Sequence, residues 1–424
     1  MGRRRKVATA AAALLLAFSA GCAHDEKGTP ERSAAGPQPG RVDVNLLGSG
    51  NYPVKPMPPL GLAGSATRGA LIDARRMADA VVGPWEVDPA MVVPGPSRAM
   101  VVPDPAALTW AMPSAIADAA GHQLIYGFLS DRSSSGGDRL LNGVLRFGDA
   151  GAAQAAAAAM AAATVAAAPD LNHPVPIPGH PGAHAATLRY DMDTSGDQPV
   201  TVYSFAAHGD YVLMQVSRAG SLDTAAATVG RALDIQTPRI DQFVPTAPAK
   251  FADLPMDPSG QLSHTMSPPT YPEPPGAVPS NPMIGTYLPR AALHFQDDPV
   301  AAAKAFSAAG LIEMTYNQTT VYRSRDAAAA AKLSDDLAEV AQRSEPSAKP
   351  ANAVDFLPGS RCVESLRTSY KPDPDDKSGP DGDPSEPTYF CFAALRDLTI
   401  AVRDPDPTGA RQETAAQYKM LLAR

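Results

Sequence analysis

The chain has no G-x-S-x-G elbow, Walker A loop, H-E-x-x-H, G-x-G-x-x-G fingerprint or C-x-x-C pair. That excludes the enzymes whose chemistry is written in such short motifs, and only those. Past residue 21 it also lacks any stretch apolar enough to cross a bilayer. Positive charge is in deficit, with 36 Lys and Arg against 44 Asp and Glu, a net charge of −8. Removing residues 1–21 takes away four basic residues and no acidic ones, leaving 32 against 44, or −12. Such a surface argues against nucleic acid as a partner and against direct adhesion to anionic lipid headgroups. Cysteine is scarce, at 3 in 424 residues, and proline abundant, at 44.

One of those cysteines ends an apolar run. "MGRRRKVATAAAALLLAFSAGC" opens with Arg3, Arg4, Arg5 and Lys6, and Val7 to Phe18 follow as an apolar stretch of signal-peptide length. Ser19, Ala20 and Gly21 are small, and Cys22 comes next. The arrangement resembles a bacterial lipobox, with Ser19 where the usual pattern has Leu. It predicts a signal peptide over 1–21 and diacylglyceryl transfer to the Cys22 sulfur. A secretory signal with an incidental cysteine is the plainer alternative, and Arg4-Arg5 leaves twin-arginine export open beside the general route. Each buried CH₂ of an acyl chain contributes about 0.8 kcal/mol of membrane affinity, so two chains on one residue anchor stably. Residues 22–42 are polar, rich in Pro and Gly and aperiodic, which predicts a flexible tether.

The other two cysteines, Cys362 and Cys391, form an even pair. In an exported protein that predicts a disulfide. Their flanks, "RCVESLRTSY" and "PTYFCFAAL", read as strands around a loop, "KPDPDDKSGPDGDPSEP".

Between these ends the chain alternates helical and strand-like segments. "TRGALIDARRMADAVVG" places Leu71, Ala74, Met77, Ala78 and Val81 on one helical face. "HQLIYGFLS", "RLLNGVLRF", "QPVTVYSFAA" and "YVLMQVSRA" read as strands, and the alanine-rich 149–168 as a helix opened by Asp149. Residues 236–284 are Pro-rich and predict a linker between an N-terminal domain, 43–235, and a C-terminal domain, 285–424.

The second domain echoes the first. "TTVYRSRDAAAAAKLSDDLAEVA" resembles "NGVLRFGDAGAAQAAAAAMAAAT": a strand ending in Arg (Arg323, Arg146), an Asp (Asp326, Asp149), then an Ala-rich helix. Pro358-Gly359 matches Pro178-Gly179. The expected fold is therefore α+β: two related units, each a mostly antiparallel sheet with helices packed on one face.

"VDVNLLGSGNYPVKP" and "ARRMADAVVGPWEVDPAMV" are similar to an uncharacterised family of actinobacterial lipoproteins, mycobacteria among them. That family is built from a domain of unknown function and a further C-terminal domain. The likeness rests on Tyr52, Arg76-Met77 and the run 83–89, "GPWEVDP". It implies a cell-envelope location and brings no activity or catalytic residue.

Several clusters bear side chains capable of chemistry. His173, His180, His184 and His208 fall in one segment near Asp191 and Asp193. His180 and His184 have a spacing at which both could approach one zinc or copper ion, with His173 or an aspartate completing the shell. The alternative is a polar surface loop. Asp373, Asp375, Asp376 and Asp381 suggest calcium, but Lys377 stands where an oxygen ligand belongs. "SSSGGDR" around Ser134 reads as a hairpin loop before a nucleophile site. Trp85, beside Glu86, reads as a core plug before a ligand contact.

The reading that results is a lipid-anchored protein on the extracytoplasmic face of the cell membrane. It expects a non-catalytic binding or scaffold module for an envelope protein, lipid or glycan, with no cofactor. An envelope hydrolase with its site between the units, or a metal-responsive sensor, are the alternatives.

Overall fold

A computed structural model describes residues 42–121, 123–189, 199–268, 278–344, 347–366 and 387–423. Residues 1–41, with the signal segment, Cys22 and almost all of the tether, lie outside the described residues, as do Asp191, Asp193 and the acidic stretch from Asp373 to Asp381. Residues 42–424 make one compact unit.

The N-terminal half runs α1 (Ala66–Met77), α2 (Pro84–Val87), β1 (Val93–Val102), α3 (Ser114–Asp118), β2 (Leu124–Ser133), β3 (Arg139–Phe147), α4 (Ala150–Ala166), β4 (His184–Thr187), β5 (Val200–His208), β6 (Tyr211–Ala219) and α5 (Leu222–Ile240). The C-terminal half runs β7 (Gly285–Tyr287), α6 (Pro289–Leu293), α7 (Pro299–Ala309), β8 (Glu313–Tyr316), β9 (Thr320–Arg323), α8 (Ala327–Ser344), β10 (Lys349–Ala351), β11 (Arg361–Leu366), β12 (Pro387–Leu395), β13 (Leu398–Asp404) and α9 (Pro407–Leu422). Six strands form one sheet in the order β1-β2-β3-β6-β5-β4, and seven form the other in the order β10-β11-β12-β13-β9-β8-β7. Every described pairing is antiparallel. Read from its β7 edge, the second sheet follows the first strand for strand, with β10 added at the far edge.

The helix starts agree with that order. Asp149 accepts from the Ala152 N–H at the start of α4, and Asp326 accepts from the Ala329 N–H at the start of α8, both at 2.8 Å. Each carboxylate satisfies a backbone donor that the helix itself leaves open. Gly179 and Gly359, which follow the matched prolines, have φ of 78° and 79°. Both turns need the left-handed backbone that glycine adopts without steric cost.

Helices cover both faces of each sheet, where the sequence pattern suggested one. In β3, Leu141 and Leu145 pack with Ala157 and Met160 of α4, whereas Val144 clusters with Val229 and Leu233 of α5. In β13, Ile400 and Val402 pack with Ala410 and Ala415 of α9, while Ala401 lies against the cluster that holds Leu333 and Leu337 of α8. The reason lies in composition: "LLNGVL" and "YVLMQV" are apolar at successive positions, so both sides of the central strands need cover.

The sheets face a shared interior. One cluster joins Met77, Phe128 and Val229 of the first half to Tyr287, Phe306 and Phe392 of the second. The Pro-rich stretch is packed rather than strung out. Helix α5 continues to Ile240, and Phe251, Leu262 and Met266 are buried. Gln261 donates from Nε2 to Thr315 Oγ1 and to the Val321 carbonyl, both at 2.9 Å. Across β11 and β12, Cys362 stands directly opposite Cys391, and the two are joined as the expected disulfide.

Candidate functional site

A cavity of about 380 Å³ lies where the two halves meet. Arg98 and Arg132 line it from the first sheet, and Tyr316, Phe390, Phe392 and Arg403 from the second.

Arg98 reaches it through a defect in β1. The register of β1 on β2 shifts between Pro94 and Ala99, as a Pro-Gly-Pro run inside a strand requires. Buried Asp131 holds the bulge. It accepts from the Ser97 N–H at 3.0 Å and from Arg139 through Nε and Nη2 at 2.8 and 2.7 Å. Gly95 passes so close that a Cβ there would stand 2.3 Å from Asp131 Oδ1. Arg98 is left in the left-handed region, at φ 51°. For a side chain of this size that conformation costs on the order of 1–2 kcal/mol, and strained backbone of this kind concentrates at binding sites.

The wall behind is rigid. Arg132 is 3% exposed. It donates to the carbonyls of Val92, His294 and Gln296 at 2.9, 2.8 and 2.7 Å. A guanidinium thus meets the open carbonyls at the end of α6, and its other face lies 5.6 Å over the Trp85 ring. His294 sits beneath, between Trp85 and Phe128, at ring separations of 5.2 and 5.1 Å. Its Nε2 lies 3.2 Å from the Ala78 carbonyl, which fixes that nitrogen as the donor, and its Nδ1 lies 2.8 Å from Ser130 Oγ. Burial first, and Arg132 second, push its pKa down to about 3. The ring is therefore neutral at neutral pH, with both nitrogens engaged. On the other wall Phe295 stacks against Tyr316 at 4.9 Å, and Arg403 lies 5.7 Å over Phe390. Guanidinium groups and aromatic faces together can hold an anion or a flat polar ring by hydrogen bonds and π contact.

The first half has a second polar centre, which is closed. Asp73 on α1 is fully buried. It accepts from Tyr126 Oη at 2.6 Å, Arg146 Nη1 at 3.3 Å, and the Thr246 N–H and Oγ1 at 2.9 and 2.8 Å, and it also pairs with Arg76. Burial, with Asp73 next, raises the Tyr126 pKa. The cluster ties α1, β2, β3 and the 244–246 segment together.

Comparison with known proteins places both halves. Residues 60–256 match the family described as Domain of unknown function (DUF7373) N-terminal, and residues 262–424 match Domain of unknown function (DUF7373) C-terminal. The chain belongs to the DUF7373 family. No curated protein matches it. Among solved structures it is similar to the extracellular domain of PknH from Mycobacterium tuberculosis, at 14% identity and a TM-score of 0.25, over 36% of this chain and 81% of that one. The cavity thus draws its walls from both DUF7373 halves, and the two family matches meet inside the packed Pro-rich stretch.

The histidines singled out in the sequence stand apart from it. His180 Nε2 lies 2.9 Å from Asp234, and His208 Nε2 lies 2.6 Å from Asp241. His184 opens β4 and is exposed, and His173 donates its backbone N–H to Thr187 Oγ1. Among the described residues, no three His, Cys, Asp or Glu side chains group where a metal ion could be held. Ser134 sits in the turn between β2 and β3, its N–H bonded to the Asp138 carbonyl. Trp85 is 6% exposed and packed at the junction. Glu86 pairs with Arg239 at 2.7 Å and caps the Gly83 N–H at 2.9 Å. Sequence reasoning passed over Arg98, Arg132 and His294. "VPGPSR" was the readable signal for the first, since Pro and Gly inside a strand mark a bulge.

Proposed function

We propose that this DUF7373 protein is a lipid-anchored cell-envelope module that binds a ligand without catalysis. Its body is an internal duplication, tethered by Cys22 to the extracytoplasmic face of the membrane. The cavity between the halves carries this reading: exposed Arg98 is held at its rim on a built bulge, above aromatic walls. The buried ionisable groups around it serve the fold. Asp131 holds the bulge, Arg132 caps carbonyls and His294 is locked as a neutral bridge.

Two experiments test it. Ala401→Trp, on the cavity lining, fills the space. Mass spectrometry of material co-purifying from native membranes is expected to show a species enriched on wild type and missing from Ala401→Trp and from a control lipoprotein. Identical profiles for all three would sink the binding reading. For the anchor, Cys22→Ser is expected to leave the membrane fraction and to lose the mass of the lipid. A variant that still sediments with the bilayer at the wild-type mass would sink the anchor.

A further inference from the structure

A second cavity, of about 390 Å³, lies along α1, and its chemistry differs from the first. Leu71 and Ile72 of α1, Met57 and Leu60 before it, and Met256 and Leu262 give it an apolar wall. Two cations share that wall. Arg68 and Arg75 are seven residues apart on α1, two helical turns, and so lie on one face. No Asp or Glu is among the described residues that line the space.

Among the described residues neither of these two arginines meets a carboxylate, as several others do. Arg146 meets Asp73, Arg139 meets Asp131 and Arg239 meets Glu86. Arg75 donates instead to a neutral acceptor, the Pro282 carbonyl, at 2.9 Å. Burial lowers its pKa below the ordinary arginine value. The Arg68 guanidinium has no hydrogen-bond or ion-pair partner among the described residues. Two positive groups beside an apolar hollow, with no counter-charge among the described residues, are costly to hold, and an anion seated there offsets that cost. The volume is at the low end of the roughly 300–1,000 Å³ of ligand pockets, which suits one hydrocarbon chain and not two.

We propose that this cavity binds a single-chain anionic amphiphile. The chain lies along Leu71, Ile72, Met256 and Leu262, and a carboxylate or phosphate head meets Arg68 and Arg75. The proposal rests on the reading of the body as a binding module, and it concerns a different cavity from the one that carries that reading.

Calorimetric titration of the full chain, stripped of bound lipid, tests it with three probes: hexadecanoate, hexadecyl phosphate and hexadecanol. At least one of the two anions is expected to bind once per chain, and whichever does so names the head group. Hexadecanol is expected to bind at least tenfold more weakly. Arg68→Gln is expected to weaken the anion tenfold or more, and Arg68→Lys to retain most of the affinity. Ile72→Trp, checked for folding by circular dichroism, is expected to abolish binding, whereas Ala401→Trp in the junction cavity leaves it unchanged. The proposal is overturned if neither anion saturates, if hexadecanol binds as tightly as the anions, or if Ile72→Trp folds and still binds. Each of these results leaves the Ala401→Trp co-purification test standing, so the two readings fail separately.

Discussion

Glu413 on α9 shows how one buried side chain gives the fold a pH dependence. It is 2% exposed, and burial in the first place, with Asp404 nearby, raises its pKa to about 7, while a hydrogen bond from Gln318 works the other way. Tyr52, which donates to Asp404 at 3.3 Å, is driven up to about 12 in the same pocket, mainly by burial. A carboxyl whose folded pKa lies above its unfolded value of 4.5 contributes no penalty while both states hold the proton. As pH rises from about 4.5 through about 7, the unfolded chain ionises first and stability falls. Glu413→Gln keeps the shape and removes the titration. We expect equal stability for the two proteins at pH 4.5 and a gap opening in favour of the variant by pH 8.5. Each tenfold change in proton affinity between the folded and unfolded chain is worth about 1.4 kcal/mol, which puts the gap on the order of 3 kcal/mol. Urea unfolding at the two pH values measures it, and a gap of the same size at both would remove Glu413 as the cause.

Strand pairs are the scale at which the sequence was most readable, and the disulfide shows why. Cys362 and Cys391 lie opposite each other on β11 and β12, 29 residues apart in the chain. Closing a loop of that length restricts the unfolded chain by about 3–4 kcal/mol in the entropy model. Replacing both cysteines with alanine is expected to lower stability by that amount, with the Cys362–Cys391 register kept. An unchanged denaturation midpoint would mean that the bridge does not restrict the unfolded chain in this way. Capped helices and turns were legible for similar reasons: Asp149, Asp326 and the two Pro-Gly steps act on their own neighbours, so local chemistry fixes them. The face each helix covers was not legible. Runs such as "YVLMQV" are apolar throughout and do not say which side meets which helix. The Pro-rich stretch was legible in part. Its proline content reads as linker, while the apolar residues within it, Ile240 and Phe251 among them, supply surface that binds it to the body, as do Leu262 and Met266. Arg132 and His294 were hidden because the bonds that tie them across the junction reach partners more than 150 residues away.

At the scale of the whole molecule, the two halves share a core, and that bears on how the protein unfolds. Phe128 and Met77 from one half lie in the same buried cluster as Tyr287 and Phe392 from the other. Arg132 fastens the first sheet to the end of α6, and Asp79 accepts from the Arg290 and Ala291 N–H groups at its start, at 2.9 and 3.1 Å. Separating the halves would expose the shared apolar surface and leave Arg132 buried without its carbonyls, so neither half gains by opening alone. The two tryptophans make this measurable. Trp110 is 79% exposed and changes little on unfolding, whereas Trp85 is buried against His294 at the junction. Fluorescence therefore reports mainly the junction, and far-ultraviolet circular dichroism reports the helices and strands of both halves. Urea titration at pH 6 is expected to give one transition, with the same midpoint by both signals. A fluorescence change that precedes the loss of secondary structure would mean that the halves part before they melt. It would also mean that the junction cavity is bounded by two separately stable domains.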